Sequence, residues 1–119
     1  MHNPAHIAEQ YLAVWNERDA SSRRALVARA FGLEASYLDP MMRGSGHDGV
    51  DAMIAGAQQQ FPGYRFALDG TPDGHNDVVR FSWTLGLPGA DPVAHGTDVA
   101  ELQPDGRLCR VTGFLNSVV

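Results

Sequence analysis

Two aspartates and a tyrosine stand where acid/base chemistry could be done. Asp98 lies in "VAHGTDVAEL" (93–102), whose alternate positions separate a face of Val93, His95, Thr97, Val99 and Glu101 from a face of Ala94, Gly96, Asp98, Ala100 and Leu102. The second face is small or apolar apart from Asp98, and a carboxyl group placed there needs a partner or a purpose. The other arrangements are a reversed pair of faces, or a bulge that turns Asp98 to water. Asp39 ends "EASYLDP" directly before Pro40, where an aspartate is either a turn former or a base aimed into a cavity. Tyr11 falls in an apolar helical stripe, as core or as a hydroxyl donor. Abstracting a proton beside a carbonyl leaves charge on oxygen, and donors already aimed at that oxygen in a dry pocket stabilise it. One base and two donors suffice for such chemistry, with no metal or organic cofactor.

The elements that must position these residues can be read along the chain. Asn3-Pro4 caps and opens a helix over 4–17, with Ile7, Tyr11, Val14 and Trp15 at helical spacing. Asp19 or Ser21 caps a second helix with an apolar face of Leu26, Val27, Ala30 and Phe31, and Gly32 is placed to end it in a left-handed conformation. An extended segment covers 34–39, "GSGHDG" is a loop, and Val50, Met53, Ile54 and Ala57 mark a third helix ending near "FPG". From Tyr64 onward, β-branched and aromatic residues are broken by "TPDG", "LPGADP" and "QPDG", each a turn. This predicts four strands in an antiparallel meander. Helices first and strands afterwards predict an α+β fold, a curved antiparallel sheet packed against three helices.

Aligning the hairpins with Asp98 inward turns Val79, Phe81, Trp83 and Leu85 inward and Arg80, Ser82 and Thr84 outward. Val111, Gly113 and Leu115 take the matching face of the last strand, and Tyr37, two residues before Asp39, shares its side. The candidate lining of a cavity is therefore Trp15, Phe31, Tyr37, Met53, Phe61, Phe81, Trp83, Val111 and Leu115, side-chain types that pockets and cores use alike.

Composition narrows the classes. With 119 residues, 44% of them hydrophobic and 19% charged, the chain reads as one globular domain over 1–119. A net charge of -5 without basic runs argues against nucleic acid or an anionic membrane as partner. Cys109 stands alone and cannot form an internal disulfide, and "MHNPAHIAEQ" lacks a secretory pattern, so the cytoplasm is the expected compartment. No apolar run is long enough to cross a bilayer. His2, His6, His47, His75 and His95 form no HExxH arrangement, so no metal is expected; His2 and His6 lie at an end that frays, and His75 and His95 suit surface or dimer contacts.

"YLAVWNERD" (11–19), the Asp39-Pro40 pair and "GTDVAELQPDGRLCRVTGF" (96–114) resemble, in matching order along nearly the whole chain, the ketosteroid isomerase and SnoaL-like polyketide cyclase group of the nuclear transport factor 2-like superfamily. The resemblance implies a cone of bent antiparallel sheet closed by three helices, a ligand cavity inside it, and a homodimer formed across the outer sheet face. It also implies roles, carried over and not read from spacing: Asp39 as the proton-shuttling base, Tyr11 and a protonated Asp98 as donors to the oxygen of the intermediate. The ligand would be a small apolar carbonyl compound, steroid- or polyketide-like. A 86–92 hairpin longer than in the steroid enzymes, and the bulk of Tyr37 and Trp15, speak against a steroid. Fold kinship leaves the substrate open.

Two rival readings stand beside this one. The chain could be a non-catalytic ligand-binding or assembly module, in which Asp98 and Tyr11 bond each other or a ligand. It could also activate water as epoxide hydrolases of the superfamily do with an Asp-Arg-Asp set. Arg80 and Asp98 resemble two members of that set, while Ser82 occupies the place of the third. An inward Arg80 would pair with Asp98 and hold it ionised.

Overall fold

The computed structural model describes residues 3–118, with side chains as far as Asn116; His2 lies outside them. The first helix, α1 (Pro4–Asn16), begins as its sequence dictates: Asn3 is the N-cap, its side chain accepting from the His6 N–H, and Pro4 takes the position that lacks an intrahelical partner. Asp19 caps α2 (Ala20–Ala30) in the same way, accepting from Ser22 N–H. The end of α2 differs from expectation. Phe31 is the C-cap, in extended conformation, and the chain passes directly into β1 (Phe31–Leu38). Gly32 is thus the second residue of a strand, and the Gln103 side chain lies where its Cβ would be. The glycine answers packing, not a left-handed cap.

"GSGHDG" is also not a loop. Arg43–Ser45 forms the short edge strand β2 against β1, and Gly46 begins α3 (Gly46–Gln60). Asp48 sits in its first turn, where a carboxylate meets the positive end of the helix dipole. The meander follows as β3 (Arg65–His75), β4 (Val78–Gly86), β5 (Ala94–Leu102) and β6 (Leu108–Val118). "TPDG" lies inside β3, at an irregularity between Asp69 and Asp73, while the reversal occurs at Asn76, whose φ of 49° suits an asparagine.

Six strands make one curved, unclosed sheet in the order β2-β1-β6-β5-β4-β3. Every pairing is antiparallel except β1 with β6, which is parallel and so departs from the expected sheet. A parallel pair needs a long connection, and the chain supplies one through α3 and four strands, β2 to β5. Three helices cover one face, giving the α+β architecture. Buried side chains from α1 (Ile7, Ala8, Leu12, Val14), α2 (Val27, Ala30) and α3 (Val50, Ile54) pack on Val79, Phe81, Ala100 and Val111 of the sheet. Arg23 of α2 is buried too, donating to Asp51 at 2.8 Å and to Gln58 at 3.0 Å. Gln58 in turn donates to the carbonyls of Trp15 and Glu17, so this polar strut ties all three helices together. No helix among the described residues is long and apolar enough to cross a membrane.

Candidate active site

The inner face of the sheet is built in rows set by strand register. Val79, Ala100 and Val111 form one row, Phe81, Asp98 and Gly113 the next, and Trp83, Gly96 and Leu115 the third. α1 crosses above them with Tyr11 and Trp15 one turn apart, hence on the same side of the helix. A cavity of about 370 Å³ begins at the Asp98 row and opens toward the hairpin after β4. Its wall is mostly apolar; the polar groups gather at the inner end, around Asp98.

Asp98 is 2% exposed. Its Oδ2 accepts from the Tyr11 hydroxyl at 2.7 Å and its Oδ1 from the indole N–H of Trp83 at 3.2 Å. Burial pushes this carboxyl up to about 6; the two hydrogen bonds pull the other way and the charge of Asp39 adds to the rise. Burial, then the charge of Asp98, hold the Tyr11 hydroxyl well above its ordinary range, and the same two causes do so for Tyr37. Both phenols are therefore neutral donors.

Asp39 turns out to be a turn former and a cavity residue at once. Its Oδ1 accepts from the backbone N–H groups of Met41 and Met42, each at 2.8 Å, and its Oδ2 accepts from the Tyr37 hydroxyl at 2.6 Å. The backbone bonds fix the side chain in place, while Oδ2 lies on the cavity side with Tyr37. Two glycines make this convergence sterically feasible. A Cβ on Gly113 would lie 2.8 Å from Asp98 Oδ1, 3.1 Å from Asp39 Cβ and 3.2 Å from the Tyr37 hydroxyl, so the two acids and the phenol meet over a residue with no side chain. Gly96 does the same for Trp83, whose ring lies where a Cβ would be.

Of the residues singled out from sequence, Tyr11, Trp15, Tyr37, Asp39, Phe61, Trp83, Asp98 and Leu115 line the cavity. Phe31, Met53, Phe81 and Val111 do not. Phe31 and Val111 are fully buried where α2 and the far rows of the sheet fill the interior, Phe81 packs under Tyr11 with ring centroids 5.1 Å apart, and Met53 leans on the core from α3. Face alone cannot separate these from lining residues, because the cavity occupies only the rows from Asp98 outward. Arg18 and Phe66 were missed. Arg18 donates to the Tyr64 carbonyl at 2.6 Å at the mouth, and Phe66 meets both Trp15 and Trp83 edge-on. Arg18 stands two residues past the end of α1, after the extended C-cap Glu17, so helical spacing from Tyr11 and Trp15 does not carry it to the cavity.

Arg80 faces outward, paired with Asp73 at 2.8 Å with both side chains largely exposed, and Ser82 bonds Thr97 at 2.8 Å on the same outer face. The Asp-Arg-Asp arrangement of the epoxide hydrolase reading is therefore not assembled here.

A curved sheet with three helices over one face and a cavity between them is the nuclear transport factor 2-like class. A protein of unknown function from Cytophaga hutchinsonii described as nuclear transport factor 2-like shows the fold at 7% identity, with a TM-score of 0.69 over 98% of this chain and 92% of that one. The chain belongs to the SnoaL-like domain family, which it matches over residues 8–111. A structure from Agrobacterium tumefaciens strain C58, provisionally described as an isomerase of the SnoaL-like family, shares 52% identity and superposes with a TM-score of 0.93, covering 96% of this chain and 97% of that one. A provisionally assigned polyketide cyclase from Sinorhizobium meliloti has 18% identity and a TM-score of 0.70, with 91% and 93% covered. No curated protein matches the chain significantly.

Proposed function

We propose that the cavity takes a small apolar carbonyl compound and moves a proton at the carbon next to the carbonyl, as a cofactor-free isomerase or cyclase. The observation that carries this reading is the meeting of a buried phenol–carboxyl pair, Tyr11 and Asp98 at 2.7 Å, with the fixed carboxylate of Asp39 at the end of an apolar cavity. The provisional description of the Agrobacterium structure as an isomerase, at 52% identity, supports the same class.

In this mechanism the substrate oxygen lies against the Tyr11 hydroxyl, and Asp39 Oδ2 takes the proton from the adjacent carbon. The electron pair of the C–H bond moves to form an enolate, whose oxygen Tyr11 stabilises. Protonated Asp39 then returns its proton to another carbon, an isomerisation, or the enolate carbon attacks a second carbonyl and closes a ring, the electron pair of that C=O bond moving to its oxygen, which takes the proton back from Asp39. Asp98 acts in its protonated form. Trp83 N–H can only donate and occupies Oδ1, so the proton of Asp98 resides on Oδ2 and is donated to the Tyr11 oxygen. That leaves the hydrogen of Tyr11 free to turn into the cavity. The exposed outer-face residues Leu38 and Phe114, on the paired strands β1 and β6, favour a homodimer through that face.

Binding of 2-naphthol and of naphthalene, measured by calorimetry, tests the oxygen-binding end. Wild type should prefer the naphthol by tenfold or more, Tyr11→Phe should lose most of the preference, and Asp39→Asn should keep it. Equal affinity of wild type for both compounds would leave only a passive apolar container.

A further inference from the structure

Every polar side chain at the inner end of the cavity has a partner except one. Tyr11 bonds Asp98, Trp83 bonds Asp98, and Tyr37 bonds Asp39. Trp15 is 5% exposed, lines the cavity, and its Nε1 is the one buried side-chain polar atom among the described residues without a hydrogen-bond partner. An indole N–H kept from water with nothing to donate to leaves its desolvation uncompensated. Phenylalanine would fill much of the same space without that penalty, so the N–H calls for an acceptor that arrives later.

We propose that the indole N–H of Trp15 donates directly to the oxygen of the bound ligand, beside the Tyr11 hydroxyl, so that the ligand's oxygen is held by a phenol and an indole. This rests on the reading of the cavity as a site for a carbonyl or enolate oxygen and names its second donor. The position follows from the helix: Tyr11 and Trp15 stand four residues apart on α1, their ring centroids 6.3 Å from each other. The N–H lies near enough to the Tyr11 oxygen to favour its ionised form, yet outside hydrogen-bond geometry. An oxygen seated against Tyr11 therefore comes within reach of both donors.

The alternative second donor, Asp98, has no oxygen to spare. Oδ2 is taken by Tyr11 and Oδ1 by Trp83, which pins the carboxyl behind the phenol as a positioning group. The resulting site selects a particular chemistry. Two converging donors, neither able to accept in place of its N–H or of an O–H already receiving from Asp98, fit an oxygen with two lone pairs: a ketone, an enolate or a phenolate. A compound presenting only a donor to the inner end would leave the indole N–H of Trp15 unpaired.

The sequence holds two tryptophans, so ¹⁵N-labelled protein gives two indole N–H resonances, assigned with Trp15→Phe and Trp83→Phe. On saturating wild type with 2-naphthol, the Trp15 resonance should move downfield as its hydrogen bond forms, whereas naphthalene should not move it downfield. Trp15→Phe, which keeps an aromatic ring, should cut the preference for 2-naphthol over naphthalene by about tenfold. If wild type prefers the naphthol while the Trp15 resonance stays in place, or if Trp15→Phe keeps the full preference, the inference is overturned and the oxygen site stands without it. If wild type has no preference at all, the oxygen site itself fails.

Discussion

Replacing Asp98 by asparagine should make this protein more stable at neutral and higher pH, but not in acid. The carboxyl holds its proton up to about 6 when folded, against an ordinary value of 3.8, because it is buried. The folded state therefore binds this proton more tightly than the unfolded chain. Its contribution is full below about pH 4, declines as pH rises toward 6, and is gone above that, when a buried carboxylate must be carried instead. The shift corresponds to roughly 3 kcal/mol. Asparagine has nearly the same shape and never ionises; its carbonyl can accept from Trp83 and its amide can donate to the Tyr11 oxygen. Urea unfolding followed by tryptophan fluorescence across this pH range reads the difference directly. Asp98→Asn and wild type should nearly coincide near pH 4, and the variant should gain up to roughly 3 kcal/mol near pH 8, on the order of 10 °C in Tm for a domain of this size. A difference that does not change with pH, or a variant less stable at pH 8, would refute the claim that Asp98 is a buried acid with a raised proton affinity.

The same proton governs ligand binding. A nitrophenol that is ionised throughout the range should bind wild type with an affinity that falls about tenfold per pH unit above 6, since each binding event needs Asp98 protonated; calorimetry should show a flat profile in Asp98→Asn. Gly113→Ala should abolish that binding and destabilise the fold by about 1–3 kcal/mol, because its methyl group would crowd Asp98 Oδ1 at 2.8 Å. Denaturation and titration of the one variant check both, and an alanine protein with unchanged affinity would mean the acids do not converge over this glycine.

How much of this could be read beforehand differs from element to element. Period-two alternation was enough to turn Asp98 inward and Arg80 outward, because a strand whose partners are apolar on one face has only one register that buries them. Caps and helical spacing were enough for α1 and α2, and for Tyr11 beside Trp15. What failed were the glycines and the position along a face. Gly32 reads as a helix stop and "GSGHDG" as a loop, although one accommodates Gln103 and the other contributes to β2 and starts α3; a glycine is demanded by tight packing as readily as by a turn. "TPDG" looked like a hairpin turn but lies within β3, where Asp73 pairs with Arg80. Phe31, Met53, Phe81 and Val111 read as lining because face, unlike row, can be counted along the chain. The missing partner of Trp15 is invisible without coordinates, since it depends on what five other side chains do with their hydrogen bonds.

Hydrogen exchange at the carbon beside a ketone tests proton transfer at this site without knowledge of the natural substrate. 2-Tetralone, an enolisable bicyclic ketone small enough for a cavity of about 370 Å³, can be incubated with the protein in D₂O and its α-proton signals followed by ¹H NMR. Wild type should exchange them faster than buffer alone, and Asp39→Asn, with the ketone still bound, should fall to the buffer rate. Exchange no faster than in buffer, or undiminished in Asp39→Asn, would contradict Asp39 as the base.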